Sequence, residues 1–279
     1  MIAGDPLLEL CDVHKHYRSV RALRGVSIEI RPGETLGMVG ESGSGKSTVG
    51  RIVLGLERPT SGALRFAGRP YPRTTRGMRA VRRRIGIVFQ DPYDSLDPRF
   101  TLRQIIDEPL RTHGLPSGEA RIAELLTSVG MENADPDSYA TTYSGGQRQR
   151  IGIARALALE PDLIVCDEPT SALDVSVQAQ ILNVLLTLQR ERNLAYLFIS
   201  HDLAVVRRMS DRIAVIREGE VVEAGSAAQV TSAPQHPYTR ALLEAVPATR
   251  PSERHIDGQN AAASPKADVA GAGLSHPVR

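Results

Sequence analysis

The chain has 279 residues, 41% of them hydrophobic, and its 34 basic and 32 acidic side chains leave a formal net charge of +2. That is enough apolar chain for one large domain, or a domain with a nested subdomain, and so even a charge balance argues against a nucleic-acid footprint. No apolar run reaches the roughly 18 residues that cross a bilayer, and residues 1–9 lack the basic flank and apolar stretch of a signal peptide, so the chain is expected to be neither exported nor membrane-spanning.

Residues 7–13 and 26–30 are short apolar or alternating stretches and predict two antiparallel strands of a small sheet. Tyr17 falls between them, either as half-buried packing or as a ring that stacks on a nucleobase. Cys11 and Cys166 both sit on apparent buried strands and read as small core residues of a chain kept in a reducing compartment.

The apolar run 35–39 predicts a buried parallel strand, and residues 47–56 predict a helix. Between them Gly40-Glu41-Ser42-Gly43-Ser44-Gly45-Lys46-Ser47-Thr48 fits the phosphate-binding pattern G-x-x-x-x-G-K-[ST] in full. Glycines at 40, 43 and 45 let the backbone curl until successive N–H groups face a phosphate, and the helix N-terminus adds its partial positive charge. In this reading Lys46 reaches the β- and γ-phosphates of a nucleotide triphosphate, and the Ser47 hydroxyl coordinates Mg²⁺.

Residues 59–62 are a turn, and 63–66 return to the small sheet. The arginines at 73, 76, 79, 82, 83 and 84 form a basic cluster, read as a solvated face in preference to a binding site. The β-branched run 85–89 ends at Gln90, a strand's carboxyl end, where ligands of open α/β sheets bind; Gln90 is therefore a candidate sensor of the γ-phosphate or of Mg²⁺. Residues 102–129 carry helix-spaced apolar side chains interrupted by Pro109, Gly114 and Pro116, which predicts a small helical insertion.

Ser144-Gly145-Gly146-Gln147 opens another helix, with Ser144 as N-cap and two glycines that free backbone N–H groups for an anion; taken alone it also reads as an ordinary capped start. Residues 163–168 are four apolar positions ending in Asp167 and Glu168, a costly place for carboxylates that serve no cation or base. Asp167 is the expected Mg²⁺ partner of Ser47, and Glu168 the group that polarises an attacking water. A long amphipathic helix over 176–190 and a buried strand over 194–199 follow. His201 then reads as a helix cap or, better, as a γ-phosphate contact on the same edge. Strands at 212–216 and 221–223 close the order, and residues 250–279 lack large apolar side chains and read as a disordered C-terminal tail.

Over residues 7–247 these motifs resemble the ATP-binding subunits of ABC transporters. The resemblance implies a P-loop NTPase, RecA-like α/β core with a small antiparallel β-subdomain and a nested helical subdomain at about residues 91–156, all within one domain of residues 1–249. It makes Tyr17 the adenine-stacking aromatic, Gly40 to Thr48 the Walker A loop and Gln90 the Q-loop glutamine. Ser144 to Gln147 become the signature motif, Asp167 and Glu168 the Walker B aspartate and catalytic base, Asp174 the D-loop residue, and His201 the switch histidine. Tyr143 stands where many such proteins carry leucine. The resemblance further implies a head-to-tail pair of ATP-binding subunits, identical or paralogous. Each ATP then lies between Walker A of one and Ser144 and Gly146 of the other.

The segments Asp91-Pro92-Tyr93-Asp94-Ser95-Leu96-Asp97-Pro98-Arg99 and Pro234-Gln235-His236-Pro237-Tyr238-Thr239-Arg240-Ala241-Leu242-Leu243 resemble the oligopeptide/dipeptide importer branch, which includes nickel importers. That implies import of short peptides, or of nickel or another small solute. The implied partners are two membrane permease subunits and, indirectly, an extracytoplasmic solute-binding protein, with this chain itself peripheral at the cytoplasmic face of the inner membrane. Cysteines that resemble iron–sulfur ligands in that branch are missing after Cys166, so no cluster is expected. A non-transport ABC ATPase fits less well. Repair ATPases separate their nucleotide motifs by a long coiled coil, whereas Lys46 and Asp167 are only 121 positions apart with no heptad run between them. A P-loop GTPase or kinase would leave Ser144 to Gln147 unexplained.

Overall fold

Two apolar periodicities in the sequence become two sheets in the computed structural model, which describes residues 5–245. Strands β1 (Leu8–Tyr17) and β2 (Val20–Ile30) form an antiparallel hairpin longer than the sequence suggests, with Tyr17 paired to Val20 at its tip, at a strand end and not in a loop. In β1 the side chains of Leu8, Leu10 and Val13 are buried while Cys11 and Asp12 face solvent. Cys11 is therefore not the core residue expected: strand alternation from Leu8 and Leu10 turns it outward, and a bulge at Asp12 resets the register for Val13.

Strand β3 (Thr35–Val39) runs into helix α1 (Lys46–Val53), which ends three residues earlier than expected because Gly55 takes a positive φ of 62°. Strands β4 (Ser61–Phe66) and β5 (Arg69–Pro70) complete the small sheet in the order β2-β1-β4-β5. Helix α2 (Thr75–Arg83) has no buried residue, as the solvated reading of its arginines requires.

Strand β6 (Ile85–Val88) leads to a single helical turn, α3 (Pro92–Ser95), and then to α4 (Leu102–His113) and α5 (Glu119–Ser128), the expected helical insertion. Pro109 lies inside α4 and does not interrupt it. The buried row Leu102, Ile105, Ile106 and Leu110 holds that helix together at the cost of one backbone bond, and Gly114, left-handed at φ 68°, ends it.

Helix α6 (Gly145–Leu157), strand β7 (Leu163–Asp167), helix α7 (Val175–Arg192), strand β8 (Ala195–Ser200), helix α8 (Leu203–Met209) and strands β9 (Arg212–Arg217) and β10 (Glu220–Ser226) follow, and their strands join β3 and β6 in the main sheet. Helices α9 (Ala227–Ser232) and α10 (Pro237–Glu244) end the described chain. The main sheet has the order β10-β9-β3-β8-β7-β6 and is parallel except for β10.

Both faces of this sheet are covered, as a parallel sheet requires. Leu163 and Val165 pack with β1, β2 and α1 on one side, and Ile164 and Cys166 with the helical layer on the other. Burial pushes the Cys166 thiol far above its usual range, so here the core reading holds. Because β3, β6, β7 and β8 run the same way, the residues that follow them, Gly40, Gln90, Glu168 and His201, gather on one edge. The tail expected at 250–279 lies outside the described residues.

Candidate functional site: a nucleotide cleft at the sheet edge

The loop after β3 owes its shape to glycine. A Cβ on Gly40 would stand 2.1 Å from the Ile216 carbonyl oxygen, while Gly43 and Gly45 adopt φ of 80° and 111°. Gly45 is the N-cap of α1 and offers no side-chain bond, and no acidic residue occupies the first turn. The first N–H groups of α1 thus have no capping partner, which suits an incoming anion. Lys46 is buried, and its ammonium donates to the carbonyls of Gly40 at 2.7 Å and Glu41 at 2.8 Å. Burial, the largest influence, lowers its pKa, against the opposing pull of Glu168, Asp167 and Glu41. Among the described residues the buried Ser44 hydroxyl oxygen has no hydrogen-bond partner. A buried cation held only by carbonyls, an uncapped helix start and an orphaned hydroxyl fit a phosphate group.

Across the cleft, Ser47 Oγ donates to Asp167 Oδ1 at 3.3 Å. Burial raises the Asp167 pKa most; the Ser47 bond lowers it, Glu168 raises it again, and Arg51 and Lys46 lower it. Glu168 is held at a left-handed φ of 48°, its N–H bonded to the Ile199 carbonyl at 2.9 Å, a strained backbone of the kind that concentrates at functional sites. Its Oε2 lies 3.0 Å from His201 Nδ1. His201 is not a helix cap, because Asp202 caps α8 through the N–H groups of Ala204 and Val205.

Ser42, Gly43, Gly45, Lys46, Ser47, Thr48, Gln90 and Glu168 line one cleft of about 420 Å³. Tyr17 lies beside it. Its phenol bonds to Glu57, its ring takes the Lys15 ammonium at 4.8 Å, and it remains 38% exposed, so ring surface is open for stacking. The oxygens of Ser47 and Asp167 are hard donors that suit Mg²⁺. Among the described residues no group of three or more His, Cys, Asp or Glu side chains is placed to hold a metal unaided.

Ser144 to Gln147 are not part of this cleft. Ser144, Gly146 and Gln147 line a separate cavity of about 440 Å³ with Met131, Tyr143 and Arg150. Ser144 and Gln147 close a capping box, and Gly146 lets α6 approach α7, since a Cβ there would meet Val177 at 2.3 Å. Tyr143 fills its apolar position and also places its hydroxyl 2.7 Å from Ser138 Oγ. Asp174 caps α7 by accepting from Val177 N–H at 3.0 Å and Ser176 Oγ at 2.7 Å, and these bonds lower its pKa.

Sequence reasoning missed Gln149. It is 2% exposed, and its amide nitrogen donates to the carbonyls of Phe89 at 3.0 Å and Pro169 at 2.8 Å, the residues flanking Gln90 and Glu168. The available signal was an amide at helix spacing on the buried face that Ile153 and Ala156 share.

A family profile described as ABC transporter matches residues 23–171, more than half of the chain. The chain belongs to the ATP-binding subunits of ABC transporters. A second profile, the oligopeptide/dipeptide transporter C-terminal region, matches residues 222–271 of this ABC ATPase. It is 49% identical over 262 residues to the oligopeptide transport ATP-binding protein AppF of Bacillus subtilis, covering 88% of this chain and 80% of that one. It is 54% identical over 241 residues to the glutathione import ATP-binding protein GsiA of Shigella flexneri serotype 5b, covering 85% of this chain but only 39% of GsiA. Among solved structures, cbiO1 from Clostridium perfringens, part of the ABC transporter complex cbiONQ, superposes with a TM-score of 0.76 at 30% identity over 82% of this chain and 92% of that one. A dimeric post-hydrolysis state of the ATP-binding cassette MJ0796, bound to ADP and Pi, gives 0.71 at 33% identity over 79% and 98%. These relatives carry the mixed α/β cassette fold that the two sheets display. No described helix of this ABC ATPase is long and apolar enough to cross a membrane.

Proposed function

We propose that this ABC ATPase hydrolyses Mg²⁺-ATP to energise the import of short peptides. The cleft that gathers Lys46, Ser47, Gln90 and Glu168 supports the chemistry, and the match of residues 222–271 to the oligopeptide/dipeptide C-terminal region supports the substrate class. Lys46 exchanges its two loop carbonyls for the β- and γ-phosphate oxygens, with the α1 N–H groups and Ser42, Gly43, Gly45 and Thr48 around them. Ser47, Asp167 and Gln90 would hold Mg²⁺, which would offset the phosphate charge. Glu168 takes the proton of the attacking water, and His201, 3.0 Å from it, orients that carboxylate and meets the γ-phosphate. Tyr17 stacks on the adenine.

Ser144, Gly145, Gly146 and Gln147, remote from the chain's own cleft, serve the nucleotide of a second ATP-binding subunit, with Asp174 at the same junction. Two permease subunits at the cytoplasmic face of the membrane receive the motion. Within the broad class, relatives named for oligopeptides and for glutathione favour peptide-like solutes. We assign residues 1–249 to the ATP-binding domain.

The test is Glu168→Gln. The variant is expected to bind ATP as the parent does while hydrolysis falls on the order of 10²-fold or more. Hydrolysis near the parent rate removes Glu168 as base. Peptide uptake by the reconstituted transporter, compared with uptake of metal ions, tests the substrate class.

A further inference from the structure

The nucleotide loop is gripped on its outer side by three points of the chain that follows β9's start. The Ile216 carbonyl backs onto Gly40, Gly219 N–H donates to the Ser44 carbonyl at 2.9 Å, and Glu41 N–H donates to the Tyr238 phenol oxygen at 3.0 Å. The first two are backbone contacts. The third depends on a single side chain, 7% exposed and 197 positions away.

Helix α10 is built to aim that side chain. His236 caps it by accepting the Tyr238 N–H on Nδ1 at 3.1 Å, and Pro237 takes its first turn. The N–H groups of Gln235 and His236 both donate to the Glu223 carboxylate of β10, at 2.8 and 3.0 Å. The Arg217 guanidinium lies 5.0 Å from the centre of the Tyr238 ring.

The peptide unit joining Gly40 to Glu41 is thus held on both edges. Its N–H meets the phenol, and its carbonyl accepts from Lys46 Nζ at 2.7 Å. We propose that Tyr238 is a positioning residue of the nucleotide loop: by fixing the Gly40–Glu41 peptide from behind, it sets where Lys46 stands before phosphate arrives, and so makes nucleotide affinity depend on the C-terminal region. This rests on the reading of the loop as an ATP site. It gives His236-Pro237-Tyr238 a task at the nucleotide, beyond marking a substrate branch. Without the phenol oxygen, a half-buried N–H loses its partner and the peptide turns to find another.

Tyr238→Phe in the full chain removes that oxygen and keeps the ring, its packing and its contact with Arg217. Hydrogen exchange at the Glu41 amide of the nucleotide-free variant is expected to accelerate, which reads the tie directly. The KM for ATP is expected to rise about fivefold to tenfold with kcat held within about twofold, and the melting temperature to stay within about 2 °C of the parent. Unchanged Glu41 exchange overturns the tie, and an unchanged KM overturns its role in affinity. A parallel fall in kcat and melting temperature with KM unchanged makes Tyr238 a packing residue only. Failure of the nucleotide reading shows separately, as a parent chain that neither binds nor hydrolyses ATP.

Discussion

Asp167 and Lys46 are both taken partly out of water, and burial moves them in opposite senses: the carboxyl upward, the ammonium downward. Each is less comfortable charged than it would be in solvent, as expected of groups kept for a charged ligand. For Asp167 the folded-state pKa lies above the unfolded 3.8, so its contribution to stability diminishes as pH rises from about that value through the folded one. Asp167→Asn keeps an acceptor for Ser47 and removes the charge. Near neutral pH the nucleotide-free variant is expected to melt above the parent. That gain should vanish as pH falls below 3.8, while Mg²⁺-dependent hydrolysis drops on the order of 10²-fold. Thermal scans across pH, paired with an ATPase assay, check both halves. A lower melting temperature at neutral pH would mean that Asp167 stabilises the fold it sits in.

Helix α6 joins parts of the site that lie far apart in sequence. It starts at Ser144, and four residues on from Gly145 its Gln149 amide clamps the carbonyls beside Gln90 and Glu168. Gln149→Leu keeps the volume and leaves two strand-end carbonyls without their donor. It is expected to lower kcat about tenfold while the KM for ATP moves less than about twofold, because the P-loop itself is untouched. A fall in melting temperature with kcat retained would leave Gln149 a core contact. What the sequence makes legible follows the same division. The P-loop, Gln90, Asp167-Glu168 and His201 can be read because local backbone need and strand ends determine them. Gln149, the Tyr238 tie and the outward Cys11 cannot, because each depends on a neighbour distant in sequence or on a single-residue bulge. Pro109 misleads for a related reason: its local rule is overridden by the buried row on which α4 lies.

At the scale of the whole molecule, the segment after Gln90 leads from the cleft into the helical layer. Asp91 caps its short helix through Tyr93 N–H at 2.7 Å, and Leu96 is buried in the helical core. Arg155 of α6 donates to the Ser95 carbonyl at 2.6 Å, and Arg148 of α6 lies 4.1 Å from the Tyr93 ring centre. The bonds from Arg99 hold the Asp97 carboxyl down at a pKa of about 2. Phe89, Tyr93 and Phe100, at 39, 59 and 38% exposure, present aromatic surface along this stretch, the kind of surface that proteins keep for a partner. In the assembly proposed above, that partner is expected to be a permease subunit, and Arg148 and Arg155 tie this segment to α6. Replacing the whole stretch 94–98 with glycine and serine would also remove Leu96 from the core, so the informative variant keeps Leu96 and changes Asp94, Ser95, Asp97 and Pro98. Peptide uptake by cells carrying it is expected to fall about tenfold or more, while basal hydrolysis by the isolated subunit stays within about twofold. Full uptake would show that the coupling runs elsewhere, and an equal loss of basal hydrolysis would make the segment part of the cleft and not its outlet.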